Sequence, residues 1–421
     1  MVEFTRNGKK RVVVTGMGAI TPLGESVQAF WDGLVAGRSG IGRMTLTDPS
    51  AYPCQVAGEV KGWDPDRHID KRESRRMARF SQLAVAATHE ATRQARLSAE
   101  RIDSTRFGVV FGNGNGGFPN IDEAMRTVVT KGGMRMSPFF FPMALPNMAA
   151  ANISRLFGAH GISNTIVTAC AASTQSVGEA AEVIRRGAAD VVITGGAEAG
   201  ISELGLAGFA VMRALASSHN DDPPLASRPF DADRDGFVPA EGAGILIVES
   251  LEHALRRGAP VLAEVVGYGA SSDAHHQFQP DEDGAGAARA MRWALDDAGV
   301  GPREIDYINA HGTSTPLNDA SETAAIKRVF GDFAYKVPIS STKSMIGHAL
   351  GGAGGMEAIA SVQTILTGVM HPTVNYQKPD PACELDYVPN VARRKPVRTV
   401  LSNSFGFGGQ NACLVFRAFD E

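Results

Sequence analysis

The stretch TIVTACAAST, residues 165–174, places Cys170 where an apolar run gives way to small residues. If a helix begins just after it, unpaired amide N–H groups and the positive end of the helix dipole favour a thiolate at that corner. Ala171, Ala172 and Ser173 leave room for a substrate. Cys54, Cys383 and Cys413 lack that setting and read as ordinary small core residues. Two histidines stand at comparable places. His311 lies in NAHGTSTPLND, directly after a strand-like run, with Gly312 allowing a sharp turn. His348 lies in STKSMIGHALGGAGGME, five residues after Lys343, in the corner of the second half of the chain that Cys170 takes in the first. NSFGFGGQN, residues 403–411, alternates Phe405 and Phe407 with glycines: a tight turn with buried aromatics, or a hinged aromatic gate with amide groups free for an oxyanion. A thiol can hold an acyl group as a thioester. Two neutral imidazoles can donate hydrogen bonds to a thioester carbonyl as it gains enolate charge. No general base is needed if the carbanion arises by loss of CO2.

The elements that must position these residues read as alternating strands and helices. Residues 10–16, 105–112, 188–196 and 243–249 predict strands, with helices over 80–97 and 173–186. The second part repeats the plan: strands at 261–268, 304–309, 336–341 and 411–417, helices at 285–299 and 355–369. VVFGNGNGG matches YINAHGTST, TIVTACAAS matches PISSTKSMIGHALGG, and PAEGAGILIVES matches FGGQNACLVFRA. The chain therefore reads as an α/β protein of two pseudo-symmetric halves, 1–258 and 259–421, packed as one body.

Bulk composition narrows the function classes. The 421 residues are 43% hydrophobic and 20% charged, as in a soluble globular protein. A net charge of −4 gives no global attraction to nucleic acid or to an anionic membrane. The 47 glycines exceed the usual ~7% and predict tight turns. Four widely spaced cysteines, without a CxxC pair, support neither a zinc site nor a disulfide framework, and suit the cytoplasm. The N-terminus has no signal-like apolar core, and the run 139–153 is interrupted by Pro142, Pro146 and Asn147. GNGNGG at 112–117 fails the dinucleotide-binding spacing, and neither GxxxxGK[ST] nor GxSxG occurs.

TACAAS, NAHGTSTP, KSMIGHALGGAGG and NSFGFGGQN, in this order and spacing, resemble the type II β-ketoacyl-[acyl carrier protein] synthases, condensing enzymes of the thiolase superfamily. The resemblance runs from about residue 10 to 418. It implies the thiolase fold, five layers αβαβα from two duplicated halves, in a homodimer. It implies a decarboxylative Claisen condensation of an acyl group on Cys170 with malonyl-acyl carrier protein. In that scheme His311 and His348 polarise the malonyl thioester, and Lys343 orients His348. The amides of Cys170 and Phe407 form an oxyanion hole, and Phe407 is a gate. Thr313 and Thr315 contact the phosphopantetheine arm, Phe209, Phe278 and Phe405 belong to the substrate site, and Asp319 and Glu322 support the histidine loop. Glu357 matches a position associated with a structural monovalent cation; no other cofactor is implied. Arg67, Lys71, Arg72, Arg75 and Arg76, in a basic segment that continues to Arg79, match the part that docks the acidic carrier. Asn115 stands where an apolar residue is usual at the floor of the acyl tunnel, which opens the chain-length preference and a polyketide-type pathway as an alternative. A non-catalytic chain-length partner would lack the nucleophilic cysteine.

Overall fold

The computed structural model describes residues 3–98 and 102–420. Ten strands form the central sheet: β1 (Val12–Ile20), β2 (Phe107–Gly112), β3 (Ser163–Ile166), β4 (Val191–Glu198), β5 (Gly242–Ser250), β6 (Ala263–Ser272), β7 (Tyr307–Asn309), β8 (Ile339–Ser340), β9 (Thr399–Gly406) and β10 (Gln410–Arg417). Eight helices matter for the site: α1 (Arg79–Gln94), α2 (Phe118–Lys131), α3 (Met148–Phe157), α4 (Ala172–Arg185), α5 (Glu203–Val211), α6 (Ala285–Ala298), α7 (Pro316–Phe330) and α8 (Ala353–Thr367). The strand order is β8-β7-β9-β10-β6-β1-β5-β4-β2-β3. Read outward from the middle, the halves run 1-5-4-2-3 and 6-10-9-7-8. Each has two antiparallel pairings followed by two parallel ones.

Only two residue pairs, Ala263 with Val14 and Glu264 with Val13, join the halves through β6 and β1. Helix α4 touches β2 and β4 of one half and β6 and β10 of the other; α8 touches β4, β5 and β9. A helix in contact with strands of both halves must lie between them, so the sheet is two leaves around a helical layer. Helices α1 and α3 cover the outside of the first leaf, α6 and α7 the outside of the second. The result is the five-layered αβαβα arrangement of two duplicated halves.

The duplication reaches into local packing. The β1–β5 register shifts between Val14 and Gly16, and the β6–β10 register between Val265 and Gly267. A methyl group on Gly16 or Gly18 would sit 2.1 or 1.9 Å from the carbonyls of Ala91 and Ala87 in α1. On Gly267 or Gly269 it would sit 2.1 or 2.3 Å from those of Ala294 and Ala290 in α6. Each outer helix thus lays an alanine ridge into a glycine groove of its first strand.

Several expected boundaries move. The strand predicted over 10–16 continues to Ile20, because β1 is covered on both faces, while that over 336–341 shrinks to two residues. Residues 403–411 are not simply a turn: Thr399–Gly406 is a full strand, and only residues 407–409 turn. Its Ser402, Asn403 and Ser404 are polar yet buried between β7 and β10, which hid the strand from a hydrophobicity reading. The glycines serve close packing as much as turns. Among the described residues no helix is long and apolar enough to cross a membrane.

Candidate active site

Cys170 lies in a 3-10 turn, Ala169–Ala171, that runs straight into α4. His311 follows β7 after one residue, and His348 sits between the short helix Lys343–Ile346 and the 3-10 turn Leu350–Gly352 that opens α8. Loops from the two leaves meet there: one ligand-capable atom each from Cys170, His311 and His348 lie within 4.8 Å of one another, all buried. Backbone strain gathers at these corners. Ala169, Ser314 and Leu350 are non-glycine residues at φ 48°, 71° and 41°, each costing of order 1–3 kcal/mol that the surrounding packing must offset. Ala169 and Leu350 both open the turn before a middle-layer helix, so the counterpart of Cys170 in the second half is Gly351. His348 does not occupy that corner; it stands three residues earlier, in a segment the first half lacks.

Burial decides the charge states. The Cys170 thiol is pushed up to about 11 by desolvation, against the pull of the Lys343 charge and hydrogen bonds from the amides of Phe407 and Cys170 itself. The expected helix-end thiolate is therefore a thiol at rest: desolvation outweighs the dipole. Burial also holds both histidines well below the ordinary imidazole range, helped by the Lys343 ammonium and, for His311, by His348. Both imidazoles are neutral.

Lys343 sets the His311 tautomer. Its Nζ donates to the His311 carbonyl at 2.7 Å, faces Nδ1 at 3.3 Å, and ion-pairs with Glu357. An ammonium can only donate, so Nδ1 is the acceptor and the ring proton sits on Nε2. Lys343 makes no direct hydrogen bond to His348 and acts on that ring through its charge. Neither ring nitrogen of His348 has a partner, while its ring stands edge-on to Phe237 and His311, 5.4 Å from each. Glu357 gives its other oxygen to Ser404 at 3.3 Å. The positive charge paired with this carboxylate is that of Lys343.

From behind, Glu322 accepts the amides of His311 and Gly312 at 2.9 and 2.8 Å and the Asn403 side chain at 3.2 Å. Its carboxyl is raised to about 7 by burial. Asp319 accepts the Phe230 amide at 2.8 Å and faces Arg234. In front, a cavity of about 540 Å³ is lined by Cys170, His311, His348, Thr313, Thr315 and Phe405, with Phe278 and Phe407 beside them. The Phe407 ring lies between Phe278, 6.2 Å away, and Phe209, 6.4 Å away. Phe278, at the mouth, is 51% exposed.

Other expected residues lie elsewhere. Asn115 is outside that lining. Its amide nitrogen reaches Glu198, while its buried side-chain nitrogen has no partner beside Gly200. Arg67, Lys71, Arg72, Arg75 and Arg76 are on the surface; Arg67 pairs with Glu25, Lys71 with Asp66, and Arg76 lies over the Phe139 ring. Among the described residues Arg72 and Arg75 have no ion pair. Arg79 turns inward to the fully buried Glu241 and leaves the basic face. Two positions escaped the sequence reading. Glu198, at the end of β4, accepts the amides of Gly114, Asn115 and Gly351, with its carboxyl raised to about 7 by burial. Arg234 lies in DADRDGF, where one arginine stands among three aspartates, a signal that was there to read.

The β-ketoacyl synthase N-terminal domain pattern matches residues 9–254, and the C-terminal domain pattern matches residues 262–377. This chain belongs to the β-ketoacyl synthase family. A synthase of Synechocystis sp., 3-oxoacyl-[acyl-carrier-protein] synthase 2, is 50% identical over 411 residues, 98% of this chain and 99% of that protein. Among solved structures, the ishigamide ketosynthase/chain length factor superposes with a TM-score of 0.91 at 38% identity, covering 98% of this chain and all of that one. A ketosynthase structure with its type II polyketide acyl-carrier protein and a bound hexaketide gives 0.89 at 36% identity, covering 98% and 100%. In this β-ketoacyl synthase the family motifs and the meeting of Cys170 with two histidines are the same residues.

Proposed function

We propose that the protein transfers an acyl group from a carrier thiol to Cys170 and condenses it with malonyl-acyl carrier protein, giving a β-ketoacyl-carrier two carbons longer for fatty acid elongation. The observation that carries this reading is the convergence of one buried thiol and two neutral imidazoles on a single cavity. The Cys170 sulfur attacks the acyl thioester, and the thiol proton ends on the departing carrier thiolate. The amides of Phe407 and Cys170, already directed at the sulfur, serve the oxyanion. Malonyl-carrier then enters, its thioester oxygen against the N–H of His311 and of His348. The C–C bond to carboxylate breaks, CO2 leaves, and the enolate carbon attacks the acyl-cysteine carbonyl. The sulfur departs and takes up a proton. The electron pair comes from decarboxylation, so the chemistry asks for no redox or metal cofactor.

The finer assignments rest on separate supports. Thr313 and Thr315 hold the phosphopantetheine arm, being the hydroxyl-bearing residues between the mouth and His311. Exposed Arg72, Arg75 and Arg76 steer an acidic carrier. The assembly is a homodimer, because β3 leaves one sheet edge unpaired and Val129, Met134, Phe141, Val167 and Val211 are 53–99% exposed on that side of the first leaf and its packed helices. The compartment is the cytoplasm, in keeping with four free cysteines. Identity of 50% to a 3-oxoacyl synthase, against 36–38% to polyketide-associated ketosynthases, favours fatty acid over polyketide chemistry.

Incubation with acyl-carriers of graded length, then malonyl-carrier, tests the reading. Mass spectrometry should find the acyl group on the peptide containing Cys170 and a product two carbons longer. An enzyme that is never acylated there refutes it.

A further inference from the structure

One short segment, His311–Pro316, carries residues for two different tasks: His311 at one end and Thr315 at the other. It is gripped at two separate points. Glu322 takes the amides of His311 and Gly312. Arg234 takes the other end. Its Nε donates to the Thr315 carbonyl at 3.3 Å and its Nη2 to the Pro316 carbonyl at 3.1 Å. Its Nη1 donates to the Asp231 carbonyl at 2.8 Å and to the Asp380 carboxylate at 2.5 Å, and Asp319 lies 3.6 Å from Nε. The side chain is only 5% exposed and touches neither the reacting groups nor the cavity. Between the two grips, Ser314 sits in the left-handed region at φ 71°, pinned by the Gly236 amide on its carbonyl and the Arg228 amide on its hydroxyl. Such a backbone conformation is costly and persists only where the surroundings over-determine it, so the midpoint is held separately from the two ends.

We infer that Arg234 is a positioning residue for substrate binding: it fixes Thr315, and the Thr313 hydroxyl 2.9 Å from it, where the substrate's thioester-bearing arm passes, while Glu322 independently fixes His311 for decarboxylation. This rests on the reading that the two threonines contact that arm. A rigid fork suits the task, since one planar group must satisfy two successive carbonyls and a carboxylate at once.

Malonyl-carrier decarboxylation by the full-length enzyme separates the parameters. Arg234→Met should raise KM about tenfold and leave kcat within about threefold. Arg234→Lys, which keeps charge but loses the fork, should fall between. Glu322→Gln should show the reverse split, lowering kcat with KM little changed. If Arg234→Met does not fold, Asp380→Asn, which loosens the same guanidinium from outside, should reproduce a weaker KM effect. Equal losses in kcat and KM, or a kcat loss alone, for the arginine variants would overturn the inference. Thr315→Val is the control for the underlying reading: a raised KM there with a silent Arg234 series rejects the inference and keeps the reading, while a silent Thr315→Val rejects the reading itself.

Discussion

The two leaves share strand order, direction pattern, register shift and glycine groove, yet they bring different chemistry to the same edge. In the first, the turn after β3 delivers Cys170 directly to the start of α4. In the second, residues 341–349 intervene between β8 and the matching turn, and that extra segment carries Lys343 and His348. The matching turn itself holds Gly351, which has no side chain to offer. Each leaf also spends one buried carboxylate on tying down the loop after its second strand: Glu198 holds residues 114 and 115, Glu322 holds 311 and 312. The sheet supplies a frame, and what is hung on its loops decides the reaction.

The sharpest way to break the comparison is to silence one leaf at a time. Cys170→Ala should lower condensation by at least about 10³-fold yet still release CO2 from malonyl-carrier. His348→Ala should lose CO2 release and still accept an acyl group. A cysteine variant that also loses decarboxylation would mean the leaves do not divide the labour. Next in size, Lys343→Met strands the buried Glu357 carboxylate and should cost about 3–5 kcal/mol of stability, read from chemical denaturation; adding Glu357→Gln should restore much of it. Reversing charge at Arg75 and Arg76 should raise KM for carrier-bound substrates about tenfold and spare pantetheine thioesters; equal harm to both would remove the docking role.

The smallest effect concerns pH. Both histidines are held neutral, so an inflection near 7 in decarboxylation belongs to a buried carboxyl, Glu322 or Glu198, each raised to about 7 by burial. Glu322, which holds the amide of His311, is the one expected to govern it. The rate should rise as pH increases through that value, because the ionised carboxylate accepts both amides fully, and Glu322→Gln should flatten the profile. Stability moves the other way. Since the folded value lies above the ordinary 4.5, the protonated form is the one folding favours, and that contribution fades as pH rises from 4.5 to about 7. The thermal-stability gap between wild type and Glu322→Gln should therefore narrow across that window.

Much of this was legible in the chain. Strand–glycine-turn patterns located Cys170, His311 and the repeat, because buried parallel strands are short apolar runs whose ends are marked by small residues. The Gly-x-Gly of β1 and β6, and the alanines at four-residue spacing in α1 and α6, were equally plain but carry meaning only when paired across distance. Strand β9 was hidden because its buried groups are Asn and Ser, some of them bonded to neighbours far along the chain: Asn403 donates to Glu322 and Ser404 to Glu357. The partner of Lys343, the inward turn of Arg79 and the protonation of Cys170 depend on which groups exclude water, a quantity that spacing does not encode.

In the middle layer, a methyl group on Gly354 of α8 would fall 2.0 Å from the Thr174 hydroxyl of α4. The nucleophile rides at the head of one of these helices, and His348 is tethered just ahead of the other. The gap between sulfur and imidazole is thus gauged by how closely two backbones nest several residues deeper. A single added carbon there would act as a shim, spreading the reactive groups without altering any of them.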